Sequence, residues 1–142
     1  MRRARIEVDG ETLGEMGLGL LALVGVGRGD TAAAAAELAG KLVHLRIFEE
    51  DDGKMNASLL DVGGTLGVVS QFTLFGDTRK GRRPSFFDAA PPEQAEPLVA
   101  ALADAARELG APVVTGRFRA RMRVELVNEG PVTLLLDSKR QF

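Results

Sequence analysis

Few side chains here are equipped for catalysis. There is one histidine, His44, and no cysteine, tyrosine or tryptophan. Ser-His-Asp and Cys-His hydrolysis need an imidazole beside the nucleophile. His44 falls mid-helix beside an apolar face, where a solvent-side or packing role is expected. Without a histidine pair or a cysteine, a zinc hydrolase is disfavoured. What stands out instead is Ser70-Gln71-Phe72-Thr73, an amide and two hydroxyls set inside a β pattern between Leu66-Gly67-Val68-Val69 and Leu74-Phe75. With no base nearby, the Thr73 hydroxyl stays protonated and weak, so an orienting role suits it better than nucleophilic attack. The ordinary alternative is that Ser70 and Thr73 satisfy neighbouring backbone groups at a strand irregularity.

A second polar segment, Asn128-Glu129-Gly130-Pro131-Val132-Thr133, separates a long alternating run from Leu134-Leu135-Leu136. Its plain reading is a Gly-Pro turn with a trans bond, the usual state of X–Pro. Arg79-Lys80-Gly81-Arg82-Arg83 puts four positive charges near one carboxylate, Asp77. By itself such a run is a solvated loop. Following directly on the Ser70 segment, it is also placed to meet phosphates. The alternate arginines Arg117, Arg119, Arg121 and Arg123 read as an exposed strand face. Asp51-Asp52-Gly53 reads as a turn.

The elements that must position these residues follow from periodicity. Ala4, Ile6 and Val8 alternate with Arg5, Glu7 and Asp9, a half-buried strand. Asp9-Gly10 offers a type I′ hairpin turn. Strands follow at Thr12 to Met16 and Leu18 to Val26. Asp30 or Thr31 caps a helix running to about Phe48, with Leu38, Leu42 and Leu45 on one face and Gly40 a mild defect. Gly63-Gly64 forms a loop before the strand carrying Ser70. Residues 76 to 92 make a long loop rich in Gly, Pro and basic residues, of a kind that is more often functional than not. Pro97 suits the first turn of a second helix, with Leu98, Leu102, Ala105 and Leu109 stacked, ending at Gly110. Arg117 to Val127 alternates as a strand, and a last strand spans Val132 to Asp137. The sum is an α+β chain.

At 142 residues, one domain is expected. A formal net charge of -2 excludes wholesale attraction to nucleic acid, so any RNA contact needs a local basic patch. The basic start is followed by Glu7 and Asp9 where a signal peptide would carry an apolar core. The longest apolar stretch, Leu18 to Val26, is short of the ~20 residues needed to span a bilayer. A cytoplasmic protein with no membrane partner is the natural expectation.

The two polar segments together resemble the signature pair of the D-aminoacyl-tRNA deacylases, small homodimeric enzymes that clear D-amino acids from mischarged tRNA. The resemblance runs from about Ala4 to Ser138. It takes in Arg46-Ile47-Phe48, Lys54-Met55-Asn56, Gly76-Asp77-Thr78-Arg79-Lys80-Gly81-Arg82-Arg83-Pro84-Ser85 and Val124-Glu125-Leu126-Val127-Asn128. It implies a homodimer of single domains spanning 1–142, each a twisted, barrel-like β-sheet with two main helices. No cofactor and no metal are implied. The implied partner is the tRNA acceptor end carrying a D-amino acid or glycine, and the implied reaction is hydrolysis of that ester. The family is thought to work with help from the neighbouring ribose hydroxyl. Backbone N–H groups of Ser70-Gln71-Phe72-Thr73 then hold the oxyanion. The resemblance also implies a cis Gly130-Pro131 bond reaching into the partner subunit's site to exclude L-side chains, braced by Asn128 and Thr133. Arg79, Lys80, Arg82 and Arg83 become candidates for tRNA contact.

Two departures bear on activity. Family members usually open with a further strand of roughly eight residues, carrying an arginine that supports the Gly-Pro loop, and Met1 falls where that strand should end. Arg2 and Arg3 are the candidates to replace the arginine. The Arg117 to Arg123 ladder is also foreign to the family pattern, which usually has a glycine near Arg119. A noncatalytic RNA-binding or interaction module, such as a truncated relative, is the alternative reading; an unrelated small-molecule-binding dimer is a second.

Overall fold

The computed structural model describes residues 1–141. The chain runs β1 (Arg3–Val8), β2 (Glu11–Met16), β3 (Gly19–Val24), α1 (Ala32–His44), β4 (Phe48–Glu49), β5 (Met55–Ala57), α2 (Leu59–Val62), β6 (Thr65–Ser70), a 3₁₀ turn at Phe72–Phe75, α3 (Pro92–Glu108), β7 (Val113–Thr115) and β8 (Arg123–Val127). The expected single barrel-like sheet is replaced by two three-stranded sheets and a two-stranded ribbon. One sheet, ordered β2-β1-β8, is antiparallel; the other, β3-β6-β7, is parallel; the ribbon pairs β4 with β5. The barrel is not closed because β2 and β7 meet through side chains. Val114 fills the space a side chain at Gly14 would need.

Helices α1 and α3 cover one face of the parallel sheet, and the antiparallel sheet lies against the other. Leu66 and Val68 of β6 join Ala35, Ala39 and Val43 of α1 and Leu102 and Ala106 of α3 in the main core. On the opposite face, Met16 sits over Gly67 and Met122 over Gly116. Being covered on both sides, β6 is buried at four consecutive residues, Leu66 to Val69. That is the pattern of a central parallel strand.

The Asp9-Gly10 hairpin forms as expected, with φ of 50° and 79°. Thr31, not Asp30, caps α1 by accepting from the Ala34 N–H at 3.2 Å. The helix ends at His44 rather than near Phe48, because Leu45 turns to ψ 130° and leads the chain towards β4. Its deepest face is Ala35, Ala39 and Val43, flanked by Leu38 and Leu42. Small residues there let α1 and α3 approach closely. His44 is exposed at the helix end.

Helix α3 starts at Pro92, with Pro97 inside it. Pro92 takes the first position, where a missing N–H costs nothing. Pro97 lies on the exposed side, where water can satisfy the carbonyl it leaves free. At the other end Gly110 adopts φ 104°, while Ala111 donates to Ala106 and Gly110 to Arg107, a Schellman stop. The short α2 is a further helix beyond the two expected. Its signal was Ser58-Leu59-Leu60-Asp61, which forms a capping box. The Ser58 backbone N–H, and then its hydroxyl, hold the Asp61 carboxyl below its ordinary range.

Two expected strands are corrected. Arg117 to Val127 is regular only over β8. Arg119 takes φ 65° and the Ala120 N–H folds back to the Arg117 carbonyl, so a turn precedes the strand. The alternation of burial survives the turn: Phe118, Ala120, Met122 and Val124 are half-buried between exposed arginines. Val132 to Asp137 forms no strand and pairs with neither sheet. Leu134 and Leu135 are left 52% and 68% exposed.

Candidate active site

Parallel strand β6 delivers the Ser70 segment to the molecular surface. Ser70 is its last residue, in register with Val24 of β3, and the Gln71 N–H donates to the Val24 carbonyl at 2.8 Å. At Gln71 the chain leaves the sheet (φ -147°, ψ 80°) and winds into the 3₁₀ turn. The first N–H groups of such a turn have no partner behind them. Those of Phe72 and Thr73 donate to nothing among the described residues, and both residues are exposed. The following N–H groups are used: Leu74 donates to Gln71 and Gly76 to Thr73. The Gln71 side-chain amide donates to the Thr73 hydroxyl. The arrangement offers main-chain donors to an incoming anion, and the Thr73 oxygen is already engaged as an acceptor.

The floor of this turn comes from residues whose role sequence reasoning missed. Phe75 packs on the backbone of Gly25 and Gly27, where side chains would collide with its ring. Phe86 lies against Gly76 and meets Phe72 edge-on, with ring centroids 5.0 Å apart and planes at 68°. The available signals were a Gly-Val-Gly step just after an apolar strand and an aromatic doublet, Phe86-Phe87, closing the basic loop.

That loop is pinned at its base. Asp77 and Ser85 exchange backbone hydrogen bonds of 2.8 and 2.9 Å. Arg79 turns back onto Asp77 in a bidentate pair, Nε to Oδ1 at 2.9 Å and Nη2 to Oδ2 at 2.7 Å. The Arg79 guanidinium, helped by its backbone N–H, draws the Asp77 carboxyl down to about 2. Lys80, Arg82 and Arg83 are exposed and have no acidic partner among the described residues.

The Gly-Pro segment is carried by the other sheet, just past β8. The Asn128 side-chain amide donates to the Val132 carbonyl at 3.4 Å and to the Thr133 hydroxyl at 3.5 Å. Arg2 donates to Glu129 in an ion pair, and the Arg2 N–H bonds the Val127 carbonyl at 2.8 Å. Gly130 adopts φ 139°, in the range that favours glycine. The cis Gly130-Pro131 bond implied by the resemblance is not found: the bond is trans. Trans is the default for X–Pro by ~0.5–1 kcal/mol, and the exposed loop has nothing packed on it within the chain to reverse that preference. No hydrogen bond or ion pair joins this loop to the Ser70 segment among the described residues. The two halves of the candidate site therefore stand on different sheets of one chain.

Residues 1–137 match the family model described as D-Tyr-tRNA(Tyr) deacylase. A D-aminoacyl-tRNA deacylase of Thermomicrobium roseum is 60% identical over 135 residues, covering 95% of this chain and 88% of that protein. One from Anaeromyxobacter dehalogenans is 59% identical over 140 residues, covering 99% and 94%. Among solved structures, a c-Myc DNA unwinding element binding protein superposes with a TM-score of 0.89 at 36% identity, covering 95% of this chain and 92% of that one. A probable eukaryotic D-amino acid tRNA deacylase shares the fold, with a TM-score of 0.67 at 20% identity over 88% and 89% of the two chains. Fold and matches together define an aminoacyl-tRNA deacylase, a hydrolase of the ester bond. The chain belongs to the D-Tyr-tRNA(Tyr) deacylase family.

Proposed function

We propose that this enzyme hydrolyses D-aminoacyl-tRNA, and glycine mischarged on tRNA, at the Ser70-Gln71-Phe72-Thr73 turn. The observation that carries the proposal is the pair of N–H groups at Phe72 and Thr73, two exposed residues, that have no partner among the described residues. Water attacks the ester carbonyl, and its oxygen takes up negative charge as the tetrahedral intermediate forms. Main-chain donors aimed there are typically worth ~2.7–4 kcal/mol each. The C–O bond to the ribose then breaks and a proton passes to the ribose oxygen. No side chain at the turn serves as a strong base. The neighbouring ribose hydroxyl supplies that help, and Thr73, held by Gln71, orients. Lys80, Arg82 and Arg83 hold acceptor-end phosphates, with Arg79 bracing the loop through Asp77.

Rejection of the L-isomer falls to the Gly130-Pro131 loop of a second copy. A main-chain wall excludes an L-side chain while ignoring which D-side chain is present, and glycine passes it. Asn128 and Thr133 brace that loop, and the Arg2–Glu129 pair stands where the family's supporting arginine is needed. The unpaired segment 132–137, with Leu134 and Leu135 exposed, supports a homodimer, because a second copy can supply both a strand partner and the apolar cover.

The deciding experiment is turnover of matched D-, L- and glycyl-tRNA substrates by the purified chain. Release from the D- and glycyl-substrates, with the L-substrate left intact, is expected. Equal hydrolysis of D- and L-substrates would overturn the selection argument, and no turnover at all would overturn the catalytic one.

A further inference from the structure

Directly beyond the ring that touches the catalytic turn lies another with no role yet. Phe87 is 73% exposed, more than any other large apolar side chain among the described residues, and it belongs to neither apolar cluster. An exposed ring on a loose loop would be unremarked. This one is fixed. The Arg28 guanidinium lies 4.9 Å from the ring centroid, and Arg28 Nε donates to the Phe87 carbonyl at 2.5 Å. Arg28 is itself held, because its N–H donates to the Asp88 carbonyl and its own carbonyl accepts from Gln94 Nε2 at 2.8 Å. Gly27 pairs with Ala89, and the Ala90 N–H bonds Val26. Ring and backbone are thus anchored to the segment after β3.

We infer that Phe87 is a stacking platform for an unpaired nucleobase at the 3′ end of the bound RNA, backed by Arg28. The inference rests on the tRNA reading above and deepens it. Consecutive residues place Phe86 inward on Phe72 and Phe87 outward, with their Cα atoms only ~3.8 Å apart. A nucleotide whose ester reaches the turn therefore brings a base to the neighbourhood of Phe87. The same segment carries Lys80, Arg82 and Arg83 without acidic partners, which suits the sugar–phosphate chain. An aromatic face beside a cationic track is how proteins hold single-stranded RNA ends whose bases are unstacked.

The chain has no tryptophan, so Phe87→Trp installs a single reporter at the platform. Titration with the ribotrinucleotide 5′-CCA-3′ should quench its emission saturably, while the same oligonucleotide lacking the terminal base should not. In steady-state assays Phe87→Ala and Phe87→Leu should raise KM for D-aminoacyl-tRNA by roughly 5- to 100-fold, the range of one lost base–aromatic stack. Their kcat and D/L ratio should hold, and Phe87→Tyr should restore KM. Unquenched Trp emission overturns the platform, and so does an unchanged KM in Phe87→Leu. A drop in oligomeric mass with KM unchanged would show instead that a second copy covers the ring. Should the unaltered chain deacylate nothing, the catalytic reading fails separately, and the emission titration still decides the platform.

Discussion

At the scale of single residues, the absence of a base at the turn shifts the expected burden of catalysis to the main chain. Thr73→Ala removes a hydroxyl already engaged by Gln71 and should keep activity within ~10-fold, below the roughly 10²–10⁴-fold that a general acid or base contributes. Phe72→Pro removes one unpaired N–H at the first position of the 3₁₀ turn, and Gln71 before it lies outside the α region that a following proline disfavours. It should lose roughly 10²–10³ in kcat, the usual cost of one oxyanion donor. Phe72→Ala, which keeps the N–H, separates this from loss of the ring. Complete inactivation by Thr73→Ala with a trapped acyl ester on Thr73 would restore the nucleophile reading. For the basic loop, Arg82→Ala with Arg83→Ala should weaken tRNA binding and lower the salt slope by about 0.7–0.9 per lost phosphate contact, leaving the D/L ratio alone. The Asp77 carboxyl is held below its ordinary range by Arg79. Its folded carboxyl sits at about 2, so the Arg79 pair is fully present above the ordinary carboxylate value and is lost only as pH falls through about 2. Binding measured between pH 5 and 8 should show no step from this pair.

At the scale of elements, the two helices carry opposite lessons about glycine. Gly40 lies inside α1, and a Cβ there would meet nothing within 4 Å. Gly40→Ala should stabilise the fold by about 0.5–1 kcal/mol, read as a raised denaturant midpoint at unchanged slope. Gly110 ends α3 at φ 104°. An L-side chain there is strained, so Gly110→Ala should destabilise by about 1 kcal/mol or more. A stabilised Gly110→Ala would mean that the Schellman stop is not what ends the helix.

At the scale of the molecule, the donors and the Gly-Pro loop sit on different sheets, which makes association the natural way to bring them together. Leu135→Asp should put a charge into the proposed interface, halve the mass seen by light scattering and abolish turnover together. Complementation offers a sharper check. Mixing an inactive Phe72→Pro chain with a chain whose disrupted Gly130-Pro131 loop leaves it unselective should recover discrimination against the L-substrate, since the one working site of each mixed dimer has both halves intact. No recovery after subunit exchange would place each site within a single chain.

The local grammar of the chain was legible before any coordinates. Alternation placed β1, a short apolar run placed the core of β6, Asp9-Gly10 gave its hairpin, and Gly110 its helix stop, because each depends on a residue's own preference or on nearest neighbours. The Ser70 segment and the basic loop stood out because polar groups inside or just after a buried strand need a reason. Other features depended on contacts distant in sequence. Two sheets stand where one was expected, with Val114 of β7 over Gly14 of β2 where they meet. The turn at Arg119 interrupts an alternation that sequence alone reads as continuous strand. Segment 132–137 has strand composition but pairs with neither sheet, and Gly130-Pro131 stays trans with nothing packed against it. Phe86 and Arg28 find Phe72 and Phe87 only through folding. Side-chain periodicity reports which face a residue prefers, and the tertiary structure alone determines what occupies the other side.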